Sequence, residues 1–135
     1  MPRNAEDVES FLLDLNRTFD RTDGDLFIVS SGAEGPPIFV SVADPVVAVR
    51  VDIGKIPENQ DTQREVFRML LELNQSLLYA GYAIDGDHIV LTAGLELKSL
   101  DANEIAAVLS DIDLALARHV GKLRERAVAK PTSAD

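Results

Sequence analysis

The chain has 135 residues, with 13 Lys and Arg against 23 Asp and Glu, and it contains no cysteine. The resulting charge of −10 repels phosphate backbones and anionic lipid headgroups, so neither nucleic acid nor a membrane surface is expected as a partner. Without cysteine, disulfides, thiolate metal sites and cysteine nucleophiles are excluded, and the length suits a single domain with one core.

The first predicted element is an amphipathic helix. Asn4 is a suitable N-cap, and Glu6 and Asp7 lie in the first turn, where they favour the positive end of the helix dipole. Apolar residues then follow at helical spacing: Val8, Phe11, Leu12, Leu15 and Phe19. This pattern predicts a helix that includes Phe19 and ends at the Asp-Gly dipeptide of residues 23 and 24.

Three strands are predicted next. Residues 26–29 form a short continuous apolar run, typical of a strand buried on both faces. Residues 38–42 follow a loop with two prolines, and residues 46–53 alternate between apolar and polar side chains, which indicates one buried and one wetter face. The connections are too short for parallel crossovers, so the strands are predicted to form an antiparallel meander.

A second helix and a hairpin occupy the middle of the chain. Thr62 and Glu65 match an S/T-x-x-E capping box. Two apolar stripes follow on neighbouring faces, the first formed by Val66, Met69, Leu70, Leu73 and Leu77 and the second by Phe67, Leu71, Asn74 and Leu78. Residues 79–84 and 88–93 are predicted strands joined at Asp85-Gly86, a dipeptide that tolerates the positive φ of a tight hairpin.

The last helix has the clearest start signal. Asp101 is the predicted N-cap with Glu104 three residues later, and Leu100 and Ile105 occupy the positions of a hydrophobic staple. The periodic apolar pattern stops after residue 126. We therefore expect a single domain over residues 1–126 and a flexible C-terminal tail over residues 127–135.

The order of these elements predicts an α+β fold, α-β-β-β-α-β-β-α, with an antiparallel sheet packed by helices. No signal for a chemical site accompanies it. Asp85-Gly-Asp87 is typical of an ordinary turn, and His88 and His119 lie in no ligand spacing. No G-x-S-x-G elbow or phosphate-binding loop is present, so neither a cofactor nor a catalytic or metal site is expected.

This pattern resembles the type III secretion chaperone-like fold, in particular the YbjN-type proteins. The resemblance covers nearly the whole chain. It is carried by Leu70-Leu-Glu-Leu-Asn74, by residues 80–91 with their Asp-Gly turn, by Leu95-Glu-Leu97, and by Leu100-Asp101 at the start of the last helix. It implies a small acidic homodimer that binds a segment of another protein and is not an enzyme. The sequence also has no signal peptide or apolar run of ~20 residues, so a cytoplasmic protein is expected.

Two surfaces are predicted for these roles. One sheet can cover only one stripe of the second helix, so a homodimer interface is expected at Met69, Leu73, Leu77 and Tyr79. An extended segment of an unidentified protein partner is expected to bind Phe11, Leu15, Phe19 and Tyr82, although a stripe at helical spacing is more often core. Two alternatives remain open: a small-molecule-binding protein or enzyme with a pocket between helices and sheet, and a structural subunit of a larger complex.

Overall fold

A computed structural model describes residues 4–22, 24–32, 35–126 and 128. It confirms the α+β fold. The elements are α1 (Ala5–Asp14), β1 (Phe19–Arg21), β2 (Leu26–Val29), β3 (Ile38–Ala43), β4 (Val46–Lys55), α2 (Gln60–Asn74), β5 (Gly81–Asp85), β6 (His88–Glu96) and α3 (Ala102–Glu125).

The strands form one antiparallel sheet in the order β1-β2-β3-β4-β6-β5. The first four strands are consecutive neighbours, as a meander requires. The hairpin of β5 and β6 is added through β6, which pairs with β4 from Val46↔Glu96 to Lys55↔His88. The two edges of the sheet are therefore β1 and β5, the strands that have a neighbour on one side only.

The core lies on one face of the sheet. Alternate strand residues such as Phe27, Val40, Val49 and Leu91 are at most 3% exposed and belong to one cluster with residues of all three helices. The helical contributions to that cluster include Val8 and Leu12 of α1, Val66 and Leu70 of α2, and Ile105, Val108, Leu109, Ile112, Leu116 and Leu123 of α3. On the opposite face, Ala48 and Arg50 are exposed. β2 is thus buried on one face, and the expectation of two buried faces was wrong, because Leu26 and Ile28 stay partly exposed.

The first helix is shorter than predicted. It ends at Asp14, and Asn16 adopts a positive φ of 56°, which turns the chain away from the helix axis. Phe19 then lies in β1, paired with Val29 of β2. Phe19 has helical spacing although it lies outside the helix, and the three residues of β1 are too few to show a strand pattern of their own.

Two other boundaries differ from prediction. The N-cap of α2 is Asn59, whose Oδ1 accepts a hydrogen bond from the Thr62 amide at 3.0 Å, so the helix starts before the predicted Thr62 cap. β5 starts at Gly81 instead of Tyr79. The predicted Asp101 N-cap of α3 is confirmed, and its Oδ1 accepts from the Glu104 amide at 2.8 Å.

The domain boundary at residue 126 stays a prediction. Residue 127 and residues 129–135 of the predicted tail lie outside the described residues. Val128 is described, is 1% exposed, and its carbonyl accepts a hydrogen bond from Arg124 at 3.2 Å.

Candidate functional site

Exposed apolar side chains concentrate between α2 and β5. Leu71, Leu78, Tyr79 and Ile84 are 73%, 83%, 56% and 46% exposed, and they lie within one short segment of the chain. We call these four residues the α2–β5 surface. Large apolar side chains that are exposed together mark contact surfaces, because leaving them in water costs free energy that burial against a partner recovers.

A single carboxylate holds the link that carries Leu78 and Tyr79. Oδ2 of Asp111 accepts hydrogen bonds from the amides of Leu78, Tyr79 and Ala80 at 3.1, 2.8 and 3.0 Å. Asp111 is itself 9% exposed, on the buried face of α3. Three charge-assisted bonds on one oxygen fix the backbone of the link, so the α2–β5 surface is presented on a rigid support.

Asn74, at the end of α2, occupies the outer edge of β5. Its Oδ1 accepts from the Tyr82 amide at 2.7 Å, and its Nδ2 donates to the Tyr82 carbonyl at 3.4 Å. In an antiparallel pair, alternate residues direct both backbone groups away from the neighbouring strand. Tyr82 is such a residue, and the amide of Asn74 bonds the groups that another strand would use. The β5 edge is therefore closed at Tyr82.

The Tyr82 side chain lies in the core behind this edge. It is 8% exposed, and its hydroxyl lies 2.9 Å from Nδ1 of His119, a residue of α3 that is 5% exposed. Burial raises the pKa of Tyr82 above its usual range. Burial also lowers the pKa of His119, with smaller contributions from Lys122 and Arg118 in the same direction. Both rings are thus held neutral, which suits a buried hydrogen-bonded pair.

The opposite edge of the sheet, β1, is open. The Ser30 amide donates to the Thr18 carbonyl and the Thr22 amide to the Leu26 carbonyl, each at 2.9 Å. These bonds place Thr18, Asp20 and Thr22 as the residues whose backbone faces β2, so the backbone groups of Phe19 and Arg21 point outward. Within the described residues, no backbone hydrogen bond satisfies these outward groups.

Arg21 connects this edge to α1. Its guanidinium lies 5.3 Å from the centroid of the Phe27 ring and within 3.2 to 3.9 Å of the carboxylates of Glu6, Glu9 and Asp25. Nε also donates to the Gly24 carbonyl at 3.1 Å. The Arg21 side chain therefore makes its contacts within the chain, while its backbone N–H and C=O groups point outward, where another strand could bond them.

Two further observations concern small-molecule and metal binding. No group of three or more His, Cys, Asp or Glu side chains within them is arranged to hold a metal ion. A cleft of about 310 Å³ lies between the β4–α2 loop and the β5–β6 turn, and its lining includes Lys55, Pro57, Phe67 and Asp87. This cleft is open to solvent and lies at a turn instead of between the helices and the sheet.

His88 lies close to this cleft, on β6. Its Nδ1 is 3.0 Å from Oδ1 of Asp52. The hydrogen bond to Asp52 is the largest cause of a raised pKa at His88, and the charges of Asp52 and Asp87 act in the same direction against opposing effects of burial and Lys55. This arrangement is a surface ion pair when His88 is protonated.

The structure divides the predicted binding residues by burial. In the predicted interface, Tyr79 is exposed, whereas Met69, Leu73 and Leu77 are partly buried and pack against the core. In the predicted groove, Phe11, Leu15 and Phe19 are also partly buried against the core, and Tyr82 is buried. Tyr82 is thus a core residue with no surface to offer a partner. The four groove residues do not form one surface, because Phe19 is on the β1 edge and Tyr82 on the β5 strand at the other end of the sheet.

Two functional features were missed by sequence reasoning. Asp111 carried a signal, because it interrupts the buried face of α3 between Val108 and Ala115, where a charge needs specific partners. The open edge carried no signal of its own, since Phe19 continued the helical pattern of α1.

The CesT_Tir_1 family model matches residues 1–129. The chain belongs to this family. No curated protein matches the sequence. Within the described residues, none of the helices has the length and apolar character needed to span a bilayer.

Solved structures agree with the family assignment at the level of the fold. A chain of the heterodimeric ExoU–SpcU complex from the type III secretion system of Pseudomonas aeruginosa matches with a TM-score of 0.67 and 19% identity, over 84% of this chain and 95% of that chain. YbjN of E. coli, a putative transcription regulator, matches with a TM-score of 0.64 and 13% identity over 96% of each chain. The Yersinia pestis type III secretion chaperone SycH, solved with a fragment of YscM2, matches with a TM-score of 0.57 and 16% identity, over 83% of this chain and 98% of that chain. The resemblance to type III secretion chaperones and YbjN-type proteins is thereby confirmed.

Proposed function

We propose that this member of the CesT_Tir_1 family is a non-enzymatic protein-binding module, chaperone-like or regulatory, that acts as a homodimer and binds an extended segment of another protein. The family match supports a chaperone-like role, and two of the similar structures contain a partner protein. The cytoplasmic location expected from the sequence stays a prediction.

The observation that carries the proposal is the asymmetry of the two edges. The α2–β5 surface is apolar and rigid, and the adjoining strand edge is closed at Tyr82 by Asn74. Such a surface suits side-chain packing against a second copy of the chain, because it offers exposed apolar area and the backbone groups of Tyr82 beside it are already bonded. The β1 edge has the opposite character, with unpaired backbone groups next to a partly buried apolar side chain, Phe19.

The proposed dimer interface consists of the α2–β5 surface together with the predicted residues Met69, Leu73 and Leu77 at its border. Leu78→Asp should convert the dimer to a monomer, because an 83% exposed side chain contributes little to the fold of the monomer and would place a charge in an apolar interface. Light scattering at micromolar concentration measures the mass. Leu13→Asp is a matched control, since Leu13 is 61% exposed on α1, outside the proposed interface.

This interface is refuted by a wild-type protein that is monomeric under these conditions. It is also refuted if Leu78→Asp and Leu13→Asp have the same effect on the mass. Leu73→Asp is a less decisive variant than Leu78→Asp, because Leu73 also packs against the core and its replacement would disturb the fold.

The proposed binding site for the extended segment is the β1 edge. A segment in β conformation would pair with the outward amides and carbonyls of Phe19 and Arg21, and main-chain bonds of this kind give affinity without a demanding sequence. The predicted groove residues Phe11, Leu15 and Phe19 would supply apolar contacts beside it, whereas Tyr82 takes no part.

Arg21→Pro tests this site with Arg21→Ala as its control. Both variants lose the guanidinium, but only proline removes the outward N–H, and an edge strand tolerates this because that N–H does not belong to the ladder. Proteins captured from the native cytoplasm by the wild type and by Arg21→Ala, identified by mass spectrometry, should be lost with Arg21→Pro. Equal capture by both variants, with circular dichroism showing both folded, contradicts segment binding at β1.

A further inference from the structure

The β1 edge lies in an anionic environment. Asp20, at the centre of the strand, is exposed and forms no ion pair with any described residue. On the opposite face of the sheet from the Asp20 side chain, the guanidinium of Arg21 is shared by the carboxylates of Glu6, Glu9 and Asp25. The nearby Arg17 is paired at 2.7 Å with Asp113 of α3, so its charge is already compensated. A strand that approaches β1 therefore meets an excess of negative charge.

This charge argues against a second copy of the chain at the same edge. Two β1 strands related by a two-fold axis would pair Phe19 with Arg21 of the other copy, because those residues carry the outward backbone groups. The axis would then pass between the two Asp20 residues in a non-hydrogen-bonded pair, with Cα atoms about 4.5 Å apart. Like charges directly opposite each other are destabilising, so Asp20 disfavours self-pairing at this edge.

We propose that the segment that docks on β1 is cationic: an extended strand with Lys or Arg opposite Asp20 and with β-branched or aromatic residues at the alternate positions. This inference rests on the proposed function and names the chemistry of the partner. The residue opposite Asp20 would project from the same face of the sheet as the Asp20 carboxylate, where an opposite charge stabilises the pair. The alternate residues would project on the face that carries Phe19 and Phe27, whose rings contact each other, so β-branched or aromatic side chains would pack there.

Synthetic nine-residue peptides with blocked termini serve as probes. The first alternates lysine and valine, the second has glutamate in place of every lysine, and the third carries the lysines but has proline in place of two valines, so that it keeps the charge and cannot form a strand. Binding is measured by fluorescence anisotropy, and the amide signals of Phe19 and Arg21 are followed by NMR.

The lysine–valine peptide should bind and shift the Phe19 and Arg21 signals, while the glutamate and proline peptides should bind at least about tenfold more weakly. Asp20→Asn should weaken binding of the lysine–valine peptide about threefold. Asp20→Lys should reverse the preference, so that the glutamate peptide binds more tightly than the lysine–valine peptide. Glu58→Lys makes the same charge change at an exposed residue far from β1 and should leave the preference unchanged. Affinity should also fall as salt rises from about 0.05 M to about 0.5 M.

The remaining outcomes separate this inference from the proposed function. If the lysine and glutamate peptides bind equally and Arg21→Pro abolishes both, the edge is a docking site but a cationic partner is refuted. If the lysine–valine and proline peptides bind equally, or Glu58→Lys acts like Asp20→Lys, the binding is general attraction to an acidic protein and the inference fails. If no peptide binds, the inference fails, while the capture experiment with Arg21→Pro still decides the proposed function.

Discussion

The two edge strands of this sheet differ in how their outward backbone N–H and C=O groups are bonded. At β5, side chains from two helices supply hydrogen-bond partners for part of the edge: Asn74 bonds the backbone of Tyr82, and Asp111 bonds the three amides before the strand. At β1, the outward backbone groups have no such partners among the described residues, and exposed charge accompanies them. An edge whose backbone groups are bonded by side chains of the same chain is suited to side-chain packing. An edge whose backbone groups are unpaired is suited to bind an added strand.

The largest expected difference between the edges concerns their aromatic residues. Tyr82→Ala should lower the free energy of unfolding by about 3 to 5 kcal/mol, because it removes a buried ring and leaves a cavity. Phe19→Ala should cost less than half as much, about 1 to 2 kcal/mol, since Phe19 is only partly buried and contacts Phe27 edge-on with centroids 5.9 Å apart. Urea denaturation of both variants measures this; similar losses would remove the distinction between a core residue and an edge residue.

The second prediction concerns the support of the α2–β5 surface. Asp111→Ala should lower the free energy of unfolding by about 2 to 4 kcal/mol, because three amides lose their common acceptor. Asp113→Ala, two residues along α3, removes a carboxylate whose pair with Arg17 is partly exposed and should cost about 1 kcal/mol or less. Chemical denaturation distinguishes them. If Asp111→Ala is as mild as Asp113→Ala, the link is not held by this carboxylate.

A smaller effect is expected from opening the closed edge. Asn74→Ala should cost about 1 to 2 kcal/mol, because the Tyr82 amide and carbonyl lose the two bonds that replace a neighbouring strand. Amide hydrogen exchange at Tyr82 should accelerate in this variant. Asn74→Asp keeps the acceptor for the Tyr82 amide but loses the donor, so an intermediate exchange rate is expected. Unchanged exchange in both variants would show that the edge is closed by other means.

The smallest expected effect is the pH dependence of stability, and its sign differs between the two histidines. Burial lowers the folded-state pKa of His119, so its contribution to stability is present above the unfolded value of about 6.5 and is lost as pH falls toward the folded pKa. The pKa of His88 is raised by its bond to Asp52, so its contribution is present below about 6.5 and is lost as pH rises through the folded pKa.

Urea midpoints between about pH 5 and about pH 8 test these signs. Relative to the wild type, His119→Gln should lose less stability on acidification, and His88→Gln should gain less. Lys122, Arg118 and Asp111 also influence His119, so variants are compared at constant salt. The same pH response in both variants would contradict the assigned environments.

The order of elements could be predicted, apart from the additional strand β1, because it depends on local patterns. The Asp101 cap, the alternation of β4 and the Asp-Gly turn each have a signal within a few residues, and each corresponds to an element of the fold. Prediction failed where the deciding contact is distant in sequence. Phe19 joined the sheet because Val29 was available to pair with it, and β5 began late because Asp111, more than thirty residues away, bonds the amides before it.

The sequence by itself determined the α+β class, the antiparallel meander, the excess of negative charge and the family resemblance, since composition and short periodicities encode them. Only the tertiary structure decided which apolar residues are exposed. Leu71 shares the predicted stripe with Phe67, yet Phe67 packs against the core and Leu71 faces water, while Leu78 lies beyond the end of α2. It also decided that the β5 edge is closed at Tyr82 and that the β1 edge is open. Helical spacing tells which residues share a face, but burial and edge pairing depend on what the rest of the chain places against that face.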